Sequence, residues 1–515
     1  RNGLETKEAV VQALIRVGES ISASAGTVIF ALLSLLFASF GIYKDLGIPL
    51  AIGVAVMLVA GLTLLPALLA ISGKALFWPS VLTPQGESEG RWGRITALLV
   101  RRPGATLAIG VLCFAALAAA ALNYHSGGFG GALSAPAGTD AAIGNAQQAQ
   151  YFPEASSNPA NLIFAYDRPV WEDPDVLERA EQVLRSSGQF TQLSGPLDPN
   201  GTVLTPARFA ALHSELGDPR LLSATPPPGV TASAYDAYRS TEQFVSSDGR
   251  TIQFEASLRV GAQQSNQAMS ATPAIRLVMQ HAAAASGARA EGLGGEAAAL
   301  YDVSSISDHD LVTIVPIAIG AIALLLALVL RSGIAPLYLI VSVALSYLAA
   351  LGVATIVFID IGGEGGLSFI LPFLMFIFLL ALGEDYNILV MTRIREEAHR
   401  MPLRQAVVRA VGRTGPTVTS AGVILAGTFA VFAIAGSSGP SSSQIRDIGV
   451  GLAVGILMDT FLVRTVLVPA TVALLGRWNW WPTRVEIDAA PPPGPPGPGA
   501  ALGVAARTAP RPAGR

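Results

Sequence analysis

The sequence predicts an all-α polytopic membrane bundle of about eight transmembrane helices, interrupted by one α+β domain outside the membrane. Three observations carry this. The 515 residues are 51% hydrophobic and only 13% charged, where a soluble chain carries about 25% charged residues. The apolar residues fall into eight long runs, and a helix needs about 20 such residues to cross the hydrocarbon core. Lys and Arg gather in alternate connections between those runs.

In order, the runs are roughly 21–40, 46–71, 105–122, 311–330, 337–358, 367–391, 417–435 and 448–475. Pro49, Pro66, Pro316, Pro372 and Pro469 lie in or near them, which membrane helices tolerate because neighbours re-satisfy the freed backbone groups. Residues 1–72 read as the end of a first bundle, 73–104 as a cytoplasmic linker, 105–122 as a lone span, 123–310 as an extracytoplasmic domain, 311–476 as a second bundle of five spans, and 477–515 as a disordered cytoplasmic tail. The tail contains PPPGPPGPG from Pro491, a composition that cannot bury a core.

Orientation follows from the basic residues, which are retained in the cytoplasm. Arg1, Lys7 and Arg16 precede the first span; Lys74, Arg91, Arg94, Arg101 and Arg102 lie between the second and third; Arg331 follows the fourth; Arg393, Arg395, Arg400, Arg404, Arg409 and Arg413 follow the sixth; Arg477 and Arg484 follow the eighth. The opposite short connections hold only Lys44 and Arg446. Both ends are therefore expected in the cytoplasm and 123–310 outside, in a multi-pass protein of the inner (plasma) membrane. Within 123–310, runs 161–166 and 251–260 read as strands, each followed by a helix-like stretch, 173–186 and 267–285. Two strand-then-helix units make a small α+β domain. Asp302, Asp308, His309 and Asp310 read as a solvated collar at the mouth of the fourth span.

A repeat runs through the chain. AVVQALIRVG at Ala9 matches AVVRAVGRTG at Ala406, SAG at Ser24 matches SAG at Ser420, KDLGIPLAIG at Lys44 matches RDIGVGLAVG at Arg446, and LLPALLA at Leu64 matches LVPATVA at Leu467. Both copies start on the same side, so the repeat is parallel. The first copy is shorter, and the chain reads as the C-terminal portion of a larger protein. On that reading the polar residues of the sixth and seventh spans, Glu384, Asp385 and Thr417, face a surface that a missing N-terminal half supplies.

The residues that carry chemistry lie in the sixth span, in GEDYNILVMTRIREE from Gly383. An Asp at a helix centre costs about 2.5–3.5 kcal/mol on insertion scales, so an acid retained there is functional by default. Low dielectric favours the neutral form of a carboxyl, and a neighbouring phenol hydrogen-bonds either form. Asp385 and Tyr386 are thus the candidate proton relay. Glu384, Asn387, Thr417, Ser420, Asp459, Arg464 and Ser24 are candidate supporting polar groups, with a purely structural role as the alternative for each. Asp459 and Arg464 replace Met57 and Leu62 of the first copy, and five residues apart on an α-helix they point in different directions; Arg464 is free to snorkel. Net charge −3 gives no basis for a nucleic-acid partner, and the single cysteine, Cys113, permits no internal disulfide. No Walker motif, nucleophile elbow or metal-ligand spacing occurs, so no enzyme, metal or cofactor is expected beyond a proton gradient.

These motifs resemble the mycobacterial membrane protein large (MmpL) transporters of the resistance-nodulation-division superfamily. The resemblance covers nearly the whole chain to about Pro482 and rests on GEDYNILVMTRIREE and on DTFLVRTVLVPA from Asp459. It implies two pseudo-symmetric six-helix bundles, porter-like inserted domains, an Asp-Tyr pair from each half, possible assembly into oligomers, and proton-motive-force-driven export of lipids or other hydrophobic envelope components. Hydrophobic drug efflux, and a non-transporting sterol-sensing or translocase-accessory relative, are the alternative functions. Of the family's relay residues only Asp385 and Tyr386 have a match here.

Overall fold

The computed structural model describes residues 6–73, 90–127, 138–151, 158–436 and 443–483. The Pro-rich tail, and Arg1, Lys74 and Arg484 among the basic residues, lie outside them. Eight helices among the described residues are long and apolar enough to cross a membrane. They are α1 (Thr6–Leu33), α2 (Gly41–Leu62, followed after Thr63 by Leu64–Ser72), α3 (Pro103–Ala120), α4 (Glu296–Leu330), α5 (Ala335–Thr355), α6 (Ile370–Ala398), α7 (Leu403–Ala435) and α8 (Ser443–Met458). Beyond α8 the chain runs through a nine-residue π-helical segment, Asp459–Leu467, into a last α-helical piece, Val468–Leu475. A short amphipathic helix, Arg91–Val100, leads into α3.

The spanning helices expose large apolar side chains. Leu112 on α3 and Leu328 on α4 are each 69% exposed, and Ile424 on α7 is 71% exposed. Apolar surface on that scale is stable only when something apolar covers it, and here the cover is lipid. This is a multi-pass membrane protein. Its interior is built from α5, α6 and α8, with Ala350, Leu371, Phe373, Met375, Leu379, Leu452 and Ile456 all buried in one cluster. Since lipid tails are as apolar as leucine, helices associate through close packing of small residues. At Gly352 of α5 a Cβ would stand 1.9 Å from the Leu117 carbonyl oxygen of α3, so only glycine fits this crossing.

Three helices, α1, α4 and α7, begin well before their apolar runs. The 35-residue α4 starts at Glu296, so a domain boundary at residue 310 falls inside a continuous helix. Of the residues expected to form a solvated collar there, Asp302, Asp308 and His309 are exposed and Asp310 is not. Asp310 is 1% exposed and accepts the backbone N–H groups of Ser39 and Phe40, both at 2.7 Å, capping the entry to α2. Asp302 takes both ends of the Arg276 guanidinium at 2.8 Å.

The inserted domain contains a four-stranded antiparallel sheet. After β1 (Ser126–Gly127) come β2 (Ala160–Ala165), β3 (Phe190–Ser194), β4 (Thr251–Leu258) and β5 (Ala290–Gly294), in the order β3-β4-β2-β5. Helix Asp175–Ser186 joins β2 to β3, and helix Asn266–Ser286 joins β4 to β5. Each joined pair is split by a strand antiparallel to both, the arrangement of a ferredoxin-like split β-α-β fold. Leu162, Phe164, Ile252 and Phe254 point to one face, against Leu177, Ala180 and Leu184 of the first helix. β1 pairs in parallel with β6 (Leu367–Ser368), just before α6.

Candidate functional site

Consecutive residues on an α-helix point about 100° apart, so the acidic pair of α6 faces two different neighbours. Asp385 faces α1: the Thr27 hydroxyl donates to its Oδ1 at 3.2 Å, and the Ser24 hydroxyl stands beside the same carboxyl. Thr27 is fully buried and also donates to the Ser24 carbonyl at 2.6 Å. Glu384 faces the π-helical segment and is 0% exposed, as is Asn387 next to it. Neither Glu384 oxygen has a hydrogen-bond partner among the described residues. The expectation that these acids await a missing surface is therefore corrected: Glu384 is wholly enclosed and Asp385 is half-buried against α1.

Asp459 and Arg464 form a buried ion pair, with side chains 6% and 5% exposed. The expectation that residues five apart diverge assumed α-helical geometry. A π-helix bonds i to i+5, which stacks the two side chains on one face, and it removes Arg464 from any snorkelling path. Pro469 explains part of this geometry, because it cannot donate to a carbonyl in the turn before it and the wide turns lie directly upstream. Arg464 also places Cζ 4.0 Å from the centre of the Tyr386 ring, a cation–π contact. Asp385, Tyr386, Arg464 and Asp459 are thus linked in series, with Glu384 beside the pair.

Thr417 and Ser420 do not join this site. Both are exposed on α7, where the Ser420 hydroxyl donates to the Thr417 carbonyl at 2.9 Å. What α7 does supply is Thr414 and Thr419, which with Trp92, Thr460 and Thr465 line a crevice of about 10 Å³ against Arg464. A single water fits such a space. Thr27 and this crevice were not singled out from sequence. For Thr27 the signal was present, three residues after Ser24 on one helical face.

The inserted domain has a separate cavity of about 260 Å³, lined among others by Trp171, Phe209, His213, Arg220 and Tyr238. The Tyr238 hydroxyl donates to Gly217 O at 2.6 Å and lies 2.8 Å from His213 Nδ1, so Nδ1 carries the imidazole proton. The Trp171 ring stacks on His213 at 4.0 Å. Burial holds the His213 pKa below its ordinary value, against a smaller opposing pull from Asp218.

The family model described as "MMPL family" matches residues 1–106 and 183–494. This chain belongs to the MMPL family. Among the relatives of this MMPL protein, "Putative membrane protein ActII-3" of Streptomyces coelicolor is 34% identical over 478 residues, 92% of this chain and 58% of that one. "Apo-petrobactin exporter" of Bacillus anthracis is 29% identical over 512 residues, 94% of this chain and 60% of the relative. "Sulfolipid-1 exporter MmpL8" of Mycobacterium tuberculosis is 44% identical over 184 residues, 35% of this chain and 16% of the relative. The chain spans 50–60% of the length of the curated relatives it matches along most of its own length.

Proposed function

We propose that this chain is part of a proton-motive-force-driven exporter of lipids or other hydrophobic envelope components, with Asp385 and Tyr386 as its proton relay. The observation that carries the reading is the setting of Asp385. It is a carboxyl midway along an apolar helix, held by hydroxyls rather than by a countercharge. Thr27 has one hydroxyl proton for two oxygens, the Ser24 carbonyl and Asp385 Oδ1. A protonated Asp385 that donates to Thr27 satisfies both contacts, and an ionised one leaves a contact unmet, so proton loss disturbs the α1–α6 packing. The names of the two exporter relatives support export, and the sulfolipid exporter's name supports a lipid cargo.

The orientation proposed puts the arginine-rich ends of α6 and α7 in the cytoplasm and the inserted domain outside. Because the chain covers part of its relatives' length, the activity is proposed for the parent protein, where a companion bundle covers the exposed face bearing Thr417 and Ser420. The test is export by the parent protein in proteoliposomes with an imposed proton gradient. Asp385→Asn is expected to insert normally and abolish proton-dependent export, with Tyr386→Phe less severe. Unchanged export with Asp385→Asn overturns the reading.

A further inference from the structure

Three features are left unused by the relay: the cavity around His213, the parallel β1–β6 link, and the enclosed cluster around Glu384. The cluster carries the argument furthest. Glu384 is 0% exposed and without a hydrogen-bond partner at either oxygen, and Asp459 Oδ1, both side-chain atoms of Asn387, and Nε and Nη1 of Arg464 are likewise unpartnered among the described residues. Buried polar groups are ordinarily satisfied, and a concentration of exceptions calls for an explanation. The titratable groups facing Glu384 are Asp459 and Arg464 of the π-helical segment, Tyr338 of α5, and Asp385 on its own helix.

Charge counting decides what the cluster does. Arg464 and Asp459 cancel each other. An ionised Glu384 then adds one uncompensated negative charge at a site with no solvent, a cost of several kcal/mol per ion. Arg464 has two nitrogens not engaged by Asp459; with the neutral Asn387 Nδ2 they are the donors an ionised Glu384 can recruit, and they alone bring positive charge. We propose that Glu384 is a second proton-binding group of this bundle, which holds a proton while the free nitrogens of Arg464 point away from it and releases it when the guanidinium, still paired with Asp459, turns those nitrogens toward Glu384. The proton reaches and leaves the cluster by the threonine-lined crevice that ends at Arg464. The guanidinium also sits on the Tyr386 ring, so its turn is felt at the neighbouring Asp385. The consequence for transport rests on the proton-driven reading above; proton binding by Glu384 does not.

The experiment is infrared spectroscopy of the full chain in lipid nanodiscs, titrated over about pH 5–9, with reading of the carboxylic C=O stretch that only protonated acids give. Expected is a pH-responsive band that disappears in Glu384→Gln and persists in Asp385→Asn. Uniform carbon-13 labelling of glutamate should shift that band and leave an Asp385 band in place, which assigns it to a glutamate even if the Gln variant fails to fold; the other buried glutamate among the described residues, Glu397, is paired with arginines and stays ionised. In Arg464→Gln the Glu384 band should cease to respond to pH. A band absent or constant throughout, or an unchanged response in Arg464→Gln, overturns the proposal. Retained export by Asp385→Asn sinks the relay reading and leaves the Glu384 band untouched, so the two failures are distinguishable.

Discussion

The two copies of the repeat use nearly the same sentence to build different helices. In both, a glycine lets the second helix cross the first at close range: a Cβ at Gly47 would stand 3.0 Å from Leu32 O, and one at Gly449 would stand 2.4 Å from Ala433 N. In both, the helix departs from α geometry just upstream of a proline. The first copy breaks at Thr63, with φ −120° and ψ −64°, and resumes. The second keeps its backbone bonded by widening into nine π-helical residues. Where the first copy has Met57 and Leu62, the second has Asp459 and Arg464. The lesson is that the bundle's scaffold lies in the shared glycine and proline positions, whereas its chemistry lies in two substitutions that need the wider helix to meet.

The sharpest way to break this comparison is to remove one charge of the pair. Asp459→Asn or Arg464→Met alone leaves its partner buried and unpaired, and each is expected to lower unfolding stability by about 3–5 kcal/mol, measured by denaturant titration in mixed micelles. Restoring the first copy's residues together, Asp459→Met with Arg464→Leu, is expected to cost far less than either single change, because no charge is stranded. If the double variant is as unstable as the singles, the pair is structural and the comparison fails.

The shared crossing is tested by Gly449→Leu and Gly47→Leu. Overpacking costs about 1–3 kcal/mol, and the Gly449 variant is expected to lose more, since its nearest contacts are backbone atoms closer in. Equal losses would show that the two crossings are equivalent. Thr27→Val keeps shape and removes one hydroxyl, with an expected loss of about 1 kcal/mol in thermal unfolding. It should also weaken proton-dependent export without abolishing it.

The smallest effect lies in the inserted domain. Burial lowers the His213 pKa, so the unfolded chain binds more protons there than the folded one once pH falls toward the ordinary value of about 6.5. Stability is therefore complete above that value and declines as pH drops through it. Hydrogen-exchange protection across helix Pro206–Leu216, taken relative to the intrinsic exchange rate at each pH, should fall in mild acid, and His213→Gln should flatten that dependence.

The sequence made the spans legible because lipid imposes a long apolar run on every crossing, whatever the fold. It located their apolar parts but not their true starts: α4 and α7 continue as helices through polar residues, where hydropathy is silent. In the inserted domain β2 and β4 were readable from alternation, whereas β3, FTQLS, and β5, AEGLG, are too short and too polar to announce themselves. At the site, GEDYN marked Asp385 and Tyr386 as acids and phenol out of place. That Ser24 comes near Asp385 while Ser420, its repeat partner, faces outward depends on which face α1 and α7, which both pack on α6, turn toward it, a tertiary fact. The Asp459–Arg464 contact was misread because spacing was converted to direction with the wrong number of residues per turn.

One feature of α4 has a mechanical consequence. Its 35 residues make a rod of about 52 Å at 1.5 Å per residue, longer than the hydrocarbon core of about 30 Å. Only Gly295 separates its first turn from the end of β5. Near mid-length Asp310 grips the α1–α2 connection through two backbone bonds. A rod pinned near its middle and joined at one end to a sheet is a lever. If its membrane arm tilts about Asp310, the β5 edge of the domain must swing the other way, because no flexible linker intervenes to absorb the motion.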